Sequence, residues 1–182
     1  MCFSLSLRLR KQIGLCRLLS MMDVKMIVAI GKDGAIGRNG DLIWRIPADL
    51  KRFKALTTSH PVIMGRKTWD SLPKKPLPNR RNILLTRQTD FKADGAEVVN
   101  SIEEALDLTK DETPFIIGGA EIYNAFMPYA TELYLTEVDA ICPEADAFLN
   151  PDLNHGWEKI EESPIENTET GIFYRYTVYK KI

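Results

Sequence analysis

The chain is 182 residues long, 45% apolar and 27% charged, with a formal net charge of -1. That is the length of one domain able to bury its own core, in the composition class of globular proteins rather than disordered or membrane-spanning ones. Arg8, Arg10, Lys11, Arg17 and Lys25 face only Asp23 near the amino terminus, so the rest of the chain is net acidic, which argues against nucleic acid as the main partner and leaves any anionic ligand to a few placed cations.

Residues 1–25, MCFSLSLRLRKQIGLCRLLSMMDVK, stand apart. Basic residues interrupt every apolar piece, so a secretory core segment is missing. An organellar presequence or a basic membrane-surface helix is one reading. A disordered tail, or a start upstream of Met21, Met22 or Met26, is the other. The folded domain is expected over residues 26–182.

From Met26 strand-like and helix-like pieces alternate. MIVAI (26–30) is a strand, and KDGAIGRNGDLIWRI a loop broken by Gly31, Gly34, Gly37 and Gly40. PADLKRFKALTT reads as a helix with Pro47 in its first turn. PVIMG is a short buried strand and RKTWDSL a helix; after the turn-rich KKPLPNR come the strands RNILLT and Glu97 to Val99. A helix starts at Ser101, which has the capping-box partner Glu104 three residues on. PFIIGG and AEIYNAFM form a strand and a helix, followed by the strands ELYLTEVDA, WEKIEE and GIFYRYTVYKK. This order predicts an α/β fold of three layers, α/β/α, around a mostly parallel eight-stranded sheet that ends in an antiparallel edge hairpin.

Elimination narrows the chemistry. His60 and His155 lie in no metal or triad spacing, and no nucleophile elbow, P-loop or zinc-protease motif occurs. Cys2, Cys16 and Cys142 suit neither a disulfide framework nor a zinc site and point to a reducing compartment, the cytoplasm. An enzyme with this inventory leaves much of its chemistry to a bound cofactor. Gly65, Arg66, Lys67 and Thr68 open a helix, where free N–H groups attract an anion; a solvated basic turn is the alternative. Gly118, Gly119 and Ala120 form a second strand-to-helix turn, either a close backbone approach to a ligand or simply tight packing, and Thr86 and Arg87 a third strand end. In a parallel sheet all three ends share the edge where ligands of open α/β sheets bind, which favours a phosphate-bearing dinucleotide, NADP more than NAD.

Asp49 is the singular carboxylate. On a helical wheel Phe53 and Leu56 fall within about 40° of it while Lys51 and Lys54 face away, so the acid sits on the apolar face. Either it complements the helix dipole, or it receives a cationic or amidine-like heterocycle edge. Thr136 either orients it from a neighbouring strand or is simply a polar residue on an alternating strand.

Taken in order, A-I-G-K-D-G-A-I-G, L-I-W-R-I-P-A-D-L-K-R-F, P-V-I-M-G-R-K-T-W-D-S-L, P-L-P-N-R-R-N-I-L-L-T-R, I-I-G-G-A-E-I-Y and L-Y-L-T-E-V-D-A resemble the successive motifs of bacterial dihydrofolate reductases, from about Met26 to Lys181. The resemblance implies reduction of 7,8-dihydrofolate to tetrahydrofolate by NADPH, in support of one-carbon metabolism and thymidylate synthesis, by a cytoplasmic monomer with no resident metal, nucleic-acid or membrane partner. It matches Asp49 to the acid that holds the pterin 2-amino group and N3 and promotes protonation at N5, and Trp44 to the residue closing over the substrate. Ile27, Ala29, Leu50, Phe53, Leu72, Leu77, Ile117 and Thr136 match the substrate pocket, and Arg80 the clamp on the glutamate α-carboxylate. Ala29, Ile36, Gly37, Gly65, Arg66, Lys67, Thr68, Thr86, Arg87, Gly118, Gly119, Ala120 and Tyr123 match the cofactor site, with a cis bond at Gly118-Gly119 and a mobile loop over residues 32–46.

Three positions depart from the pattern. Leu42 replaces a common Met, Glu121 stands where some relatives carry Arg and gives no attraction to phosphate, and Ala145 precedes Asp146, the match to an acid that pairs with the mobile loop. A reductase of a pyrimidine intermediate in riboflavin synthesis and a non-catalytic pteridine-binding module are the competing readings; the first would lack W-x-x-P-x-D with P-L-P-x-R, and the second would be favoured by loss of Asp49 or Trp44.

Overall fold

The computed structural model describes residues 22–182, so the readings of residues 1–21 lie outside the described residues. The strands are β1 (Lys25–Gly31), β2 (Ala35–Gly37), β3 (Val62–Gly65), β4 (Asn82–Leu85), β5 (Glu97–Val99), β6 (Phe115–Ile116), β7 (Glu132–Val138), β8 (Ala147–Phe148), β9 (Trp157–Glu162), β10 (Glu166–Asn167) and β11 (Phe173–Lys181). The helices are α1 (Pro47–Thr57), α2 (Arg66–Ser71), α3 (Ile102–Leu108) and α4 (Ala120–Phe126).

Along the main sheet the order is β10-β11-β7-β1-β6-β3-β4-β5, with β9 also paired to β11. β9 and β10 share the outer side of β11, so nine strands fill the eight expected positions. β1, β3, β4, β5, β6 and β7 run parallel, and β11 is antiparallel to β7, β9 and β10.

Alternation along the central strands produces the layers. Met26, Val28, Ile63 and Ile83 pack on one face with Ala105 and Leu106 of α3 and Tyr123 and Phe126 of α4. Their neighbours Ile27, Val62, Met64 and Leu84 pack on the other with Trp69 of α2 and, from α1, Phe53 and Leu56. A strand that is buried on both sides in this way reads as a continuous apolar run, as MIVAI and PVIM do.

The structure differs from expectation in detail. β2 and β8 form a small antiparallel sheet inside what reads as loop, and β10 was equally unforeseen. Packing begins before Met26: Met22 and Val24 are buried, and the Asp23 carboxylate accepts a hydrogen bond from Thr131. At α3 the Glu104 N–H donates to Ser101 Oγ as expected, but Glu104 Oε2 accepts from Asn100 rather than from Ser101.

Candidate active site

Pro47 opens α1 and places Asp49 in its first turn. Because Phe53 and Leu56 seat the helix on the sheet, Asp49 is carried inward toward β7, where Thr136 Oγ1 donates to Asp49 Oδ1 at 2.5 Å. Thr136 is 1% exposed and lies between Ala29 of β1 and Tyr176 of β11. Burial pushes the Asp49 carboxyl above the ordinary aspartate range, opposed by the Thr136 hydrogen bond and the charge of Arg52. The hydrogen bond from Thr136 on a neighbouring strand is present, and Asp49 is at the same time an acid in the first turn of the helix.

Tyr123 reaches across from α4, its hydroxyl donating to the Ile27 carbonyl at 2.7 Å. Its full burial holds the phenol far above its usual range. Gly118 permits this: its φ is +111°, and a Cβ there would stand 3.0 Å from the Tyr123 ring. Trp44 is partly buried and packs with Ala140 against Ile46, Val138 and Tyr174. A Cβ on Gly31 would come within 2.5 Å of its ring.

The apolar part of the site is contiguous. Ile27, Phe53, Leu72, Leu77 and Ile117 belong to one cluster, whereas Leu50 is 48% exposed at the start of α1. Arg80 lies over the Phe53 ring, its guanidinium carbon 5.7 Å from the ring centre. Its Nη1 donates to Thr57 Oγ1 and its Nε to the Pro78 carbonyl, at 2.9 and 3.1 Å. The cation is thus held beside the Phe53 ring, partly desolvated, which pulls its pKa down.

The two glycine turns meet. Gly65 N–H donates to the Gly118 carbonyl at 2.8 Å, and the Gly118-Gly119 peptide is cis. A Cβ on Gly65 would press to 2.8 Å of Ile122, and one on Gly119 would rest 3.5 Å from Thr68 Oγ1. Helices α2 and α4 both start without a side-chain cap, leaving first-turn N–H groups for an outside acceptor. Gly65 pairs with Leu85, so Thr86 and Arg87 follow at the same edge. Arg66 stacks over Phe91 and donates to Gln88, Lys67 is exposed, and Arg87 is 96% exposed with Glu121 3.8 Å away. Paired cradles without side chains, two uncapped helix starts and three cations fit a dinucleotide carrying phosphates.

Ile36 and Gly37 lie on β2, which β8 holds in place. Asp146 N–H donates to the Gly37 carbonyl, and its carboxylate accepts from Asn39 N–H at 2.8 Å, so Ala145 does not prevent the loop contact.

Arg52 was missed in the sequence. It lies one turn from Asp49, yet its guanidinium carbon is 4.4 Å from the Tyr176 ring centre and 5.8 Å from that of Tyr134. A cation at i+3 on the acid's side of the wheel was the available signal.

Comparison with known proteins agrees with this arrangement. The family model described as dihydrofolate reductase matches residues 23–181. The chain belongs to the dihydrofolate reductase family. A dihydrofolate reductase from Mycobacterium tuberculosis is 46% identical over 164 residues, covering 88% of this chain and 99% of the relative. One from Neisseria gonorrhoeae is 44% identical over 161 residues, covering 87% and 98%. A solved dihydrofolate reductase from Enterococcus faecalis, complexed with NADP(H) and RAB-propyl, superposes with a TM-score of 0.80 at 31% identity, over 87% of this chain and 96% of that one. Membership in the dihydrofolate reductase family accounts for the fold.

Proposed function

We propose that the chain reduces 7,8-dihydrofolate to 5,6,7,8-tetrahydrofolate with NADPH and that Asp49 is its essential acid. The observation that carries this is the part-buried Asp49–Thr136 pair at the sheet edge where the two glycine turns meet. Reduction across the N5–C6 bond of the pterin adds a hydride at C6 and a proton at N5. NADPH, when bound, supplies the hydride.

The remaining work falls to the chain. The Asp49 carboxyl accepts from the amidine-like edge of the pterin, N3 and the 2-amino group, while Thr136 fixes the orientation of its Oδ1. Held upward by burial, it keeps a proton at higher pH than an exposed aspartate and favours protonation at N5. Trp44 limits water at the ring, and Arg80 fixes the glutamate α-carboxylate by a two-pronged contact. Gly65 to Thr68, Thr86, Arg87 and Gly118 to Ala120 hold the cofactor's phosphates, and Ala29, Ile36, Gly37 and Tyr123 border its nicotinamide. Ile27, Leu50, Phe53, Leu72, Leu77 and Ile117 take the pterin and aminobenzoyl group.

The same reading extends the catalytic domain upstream of Met26 to include Met22 and Val24, supported by their burial, and has the protein act as a cytoplasmic monomer, a compartment supported by the buried thiol of Cys142, free among the described residues. Among the described residues no helix is long and apolar enough to cross a membrane. The test is loss of nicotinamide absorbance on mixing the protein with NADPH and dihydrofolate. Fast loss that prefers NADPH over NADH and disappears in Asp49→Asn is expected; unchanged turnover in that variant at neutral pH would remove Asp49 from its role.

A further inference from the structure

Arg52 occupies an unusual place for a cation. It is on α1, three residues after Asp49, and its guanidinium lies against the Tyr176 ring of β11 and near the Tyr134 ring of β7. Its Nη1 is buried and has no hydrogen-bond partner among the described residues; the same is true of the Tyr176 hydroxyl. A guanidinium stays charged at any physiological pH, and leaving one of its donors unsatisfied costs free energy. Aromatic faces offset part of that cost through cation–π attraction, stronger where water is excluded. A solvated residue at this position would avoid the cost altogether, so the placement calls for a compensating role.

We propose that Arg52 is a positioning residue for Asp49, supplying from its aromatic slot the part-buried positive charge against which the Asp49 carboxyl takes up and releases its proton. The proposal rests on Asp49 being the essential acid. Thr136 gives the carboxylate a hydrogen bond but no charge, so among the described residues Arg52 is the cation that acts on it. The other groups around this pair are tyrosines and one acid. Tyr123 of α4 and Tyr174 and Tyr176 of β11 all feel the Asp49 charge, and burial holds each of these phenols above its usual range and uncharged at neutral pH. Tyr134 of β7 is likewise raised. Glu161 of β9 acts on Arg52 from the groove that Arg52, Tyr176 and Ser163 line. Desolvation pulls the Arg52 guanidinium down, while Asp49, the two tyrosines and Glu161 pull it up. Burial alone would carry Asp49 higher than it stands, and the Arg52 charge draws it back.

The experiment is the pH dependence of hydride transfer, measured in single turnovers for the native protein, Arg52→Gln, Arg52→Lys and Asp49→Asn. Rate is lost as pH rises through the apparent value of the acid. Without the Arg52 charge that midpoint moves to higher pH, by roughly half a unit or more on the scale of a neighbouring charge; Arg52→Lys, which keeps a charge, stays near the native midpoint. Arg52→Met repeats the test with an apolar side chain if the amide folds poorly. Carbon-13 titration of the Asp49 carboxyl in the free proteins reads the same shift without turnover. A merely structural Arg52 would lower rates at all pH values, leave the midpoint in place, and overturn the proposal. Should Asp49→Asn retain the native profile, the role of Asp49 itself fails; should Asp49→Asn lose the profile while Arg52→Gln overlays the native curve, only the role of Arg52 fails.

Discussion

Thr136 Oγ1 and Asp49 Oδ1 are 2.5 Å apart although the two residues are 87 positions apart in the chain. A helix and a strand far apart in sequence therefore set one carboxylate, and removing either partner has a defined result. In Thr136→Val the acid keeps its burial and loses its donor. Leaving a charged buried group without that bond costs roughly 1.5 to 3 kcal/mol, or about ten-fold or more in kcat/KM. Steady-state kinetics checks this, and the alkaline limb of the rate profile moves upward because the Thr136 bond opposes the effect of burial.

Burial of Asp49 also governs stability. Its carboxyl binds a proton more tightly in the folded chain than in the unfolded one, so stability from this group is full below the ordinary aspartate value, near 3.9, and declines as pH rises through the raised value. Asp49→Asn is therefore expected to melt higher than the native protein at pH 7, with the gain vanishing in acid. Stabilising changes of this kind contribute roughly 0.5 to 2 kcal/mol, a few degrees in Tm for a chain this long. Melting curves at pH 7 and in acid decide it.

Arg80 takes its position from Thr57 and the Pro78 carbonyl. Arg80→Ala is expected to weaken dihydrofolate binding by roughly 1.5 to 3 kcal/mol, the cost of a charge-assisted contact, and to leave NADPH binding nearly unchanged. Thr57→Val retains the cation and frees its Nη1, so it weakens dihydrofolate binding by less. Calorimetric titration with each ligand separates the two, and equal dihydrofolate affinity in native and Arg80→Ala proteins would exclude the clamp.

Glu121 sits at the head of α4 beside Arg87. Both side chains are exposed, 80% and 96%, so the pair contributes little to stability. Against a phosphate the acid competes for Arg87 and repels. Glu121→Gln is expected to tighten NADPH binding by about two- to five-fold, the range of a solvent-exposed charge effect, with the gain fading at high salt. Titration at two ionic strengths measures it.

The alternation that makes MIVAI and PVIM continuous apolar runs made the layered sheet legible, and the wheel that set Asp49 beside Phe53 and Leu56 made the acid legible. Strands β2, β8 and β10 span two or three residues each, too few for any periodic pattern to show. Arg52 escaped for another reason. A basic residue on an amphipathic helix reads as solvated, and what desolvates this one is aromatic rings on β7 and β11, more than 80 residues away in sequence. The capping pair at Ser101 was half visible, since the spacing to Glu104 is local whereas the choice of Asn100 as donor depends on the chain's entry into the helix.

The hydrogen bond from Gly65 to Gly118 joins the β3–α2 and β6–α4 connections into one body. An inserted residue in either connection would break that bond and displace both helix starts at once, so neither tolerates a change in length. The connection between β9 and β10 lies at the far edge of the sheet from those turns, and its residues Pro164 and Ile165 are exposed. Variation in chain length is thereby steered to the antiparallel edge, at Pro164 and Ile165 beyond the groove that Ser163 lines with Arg52 and Tyr176.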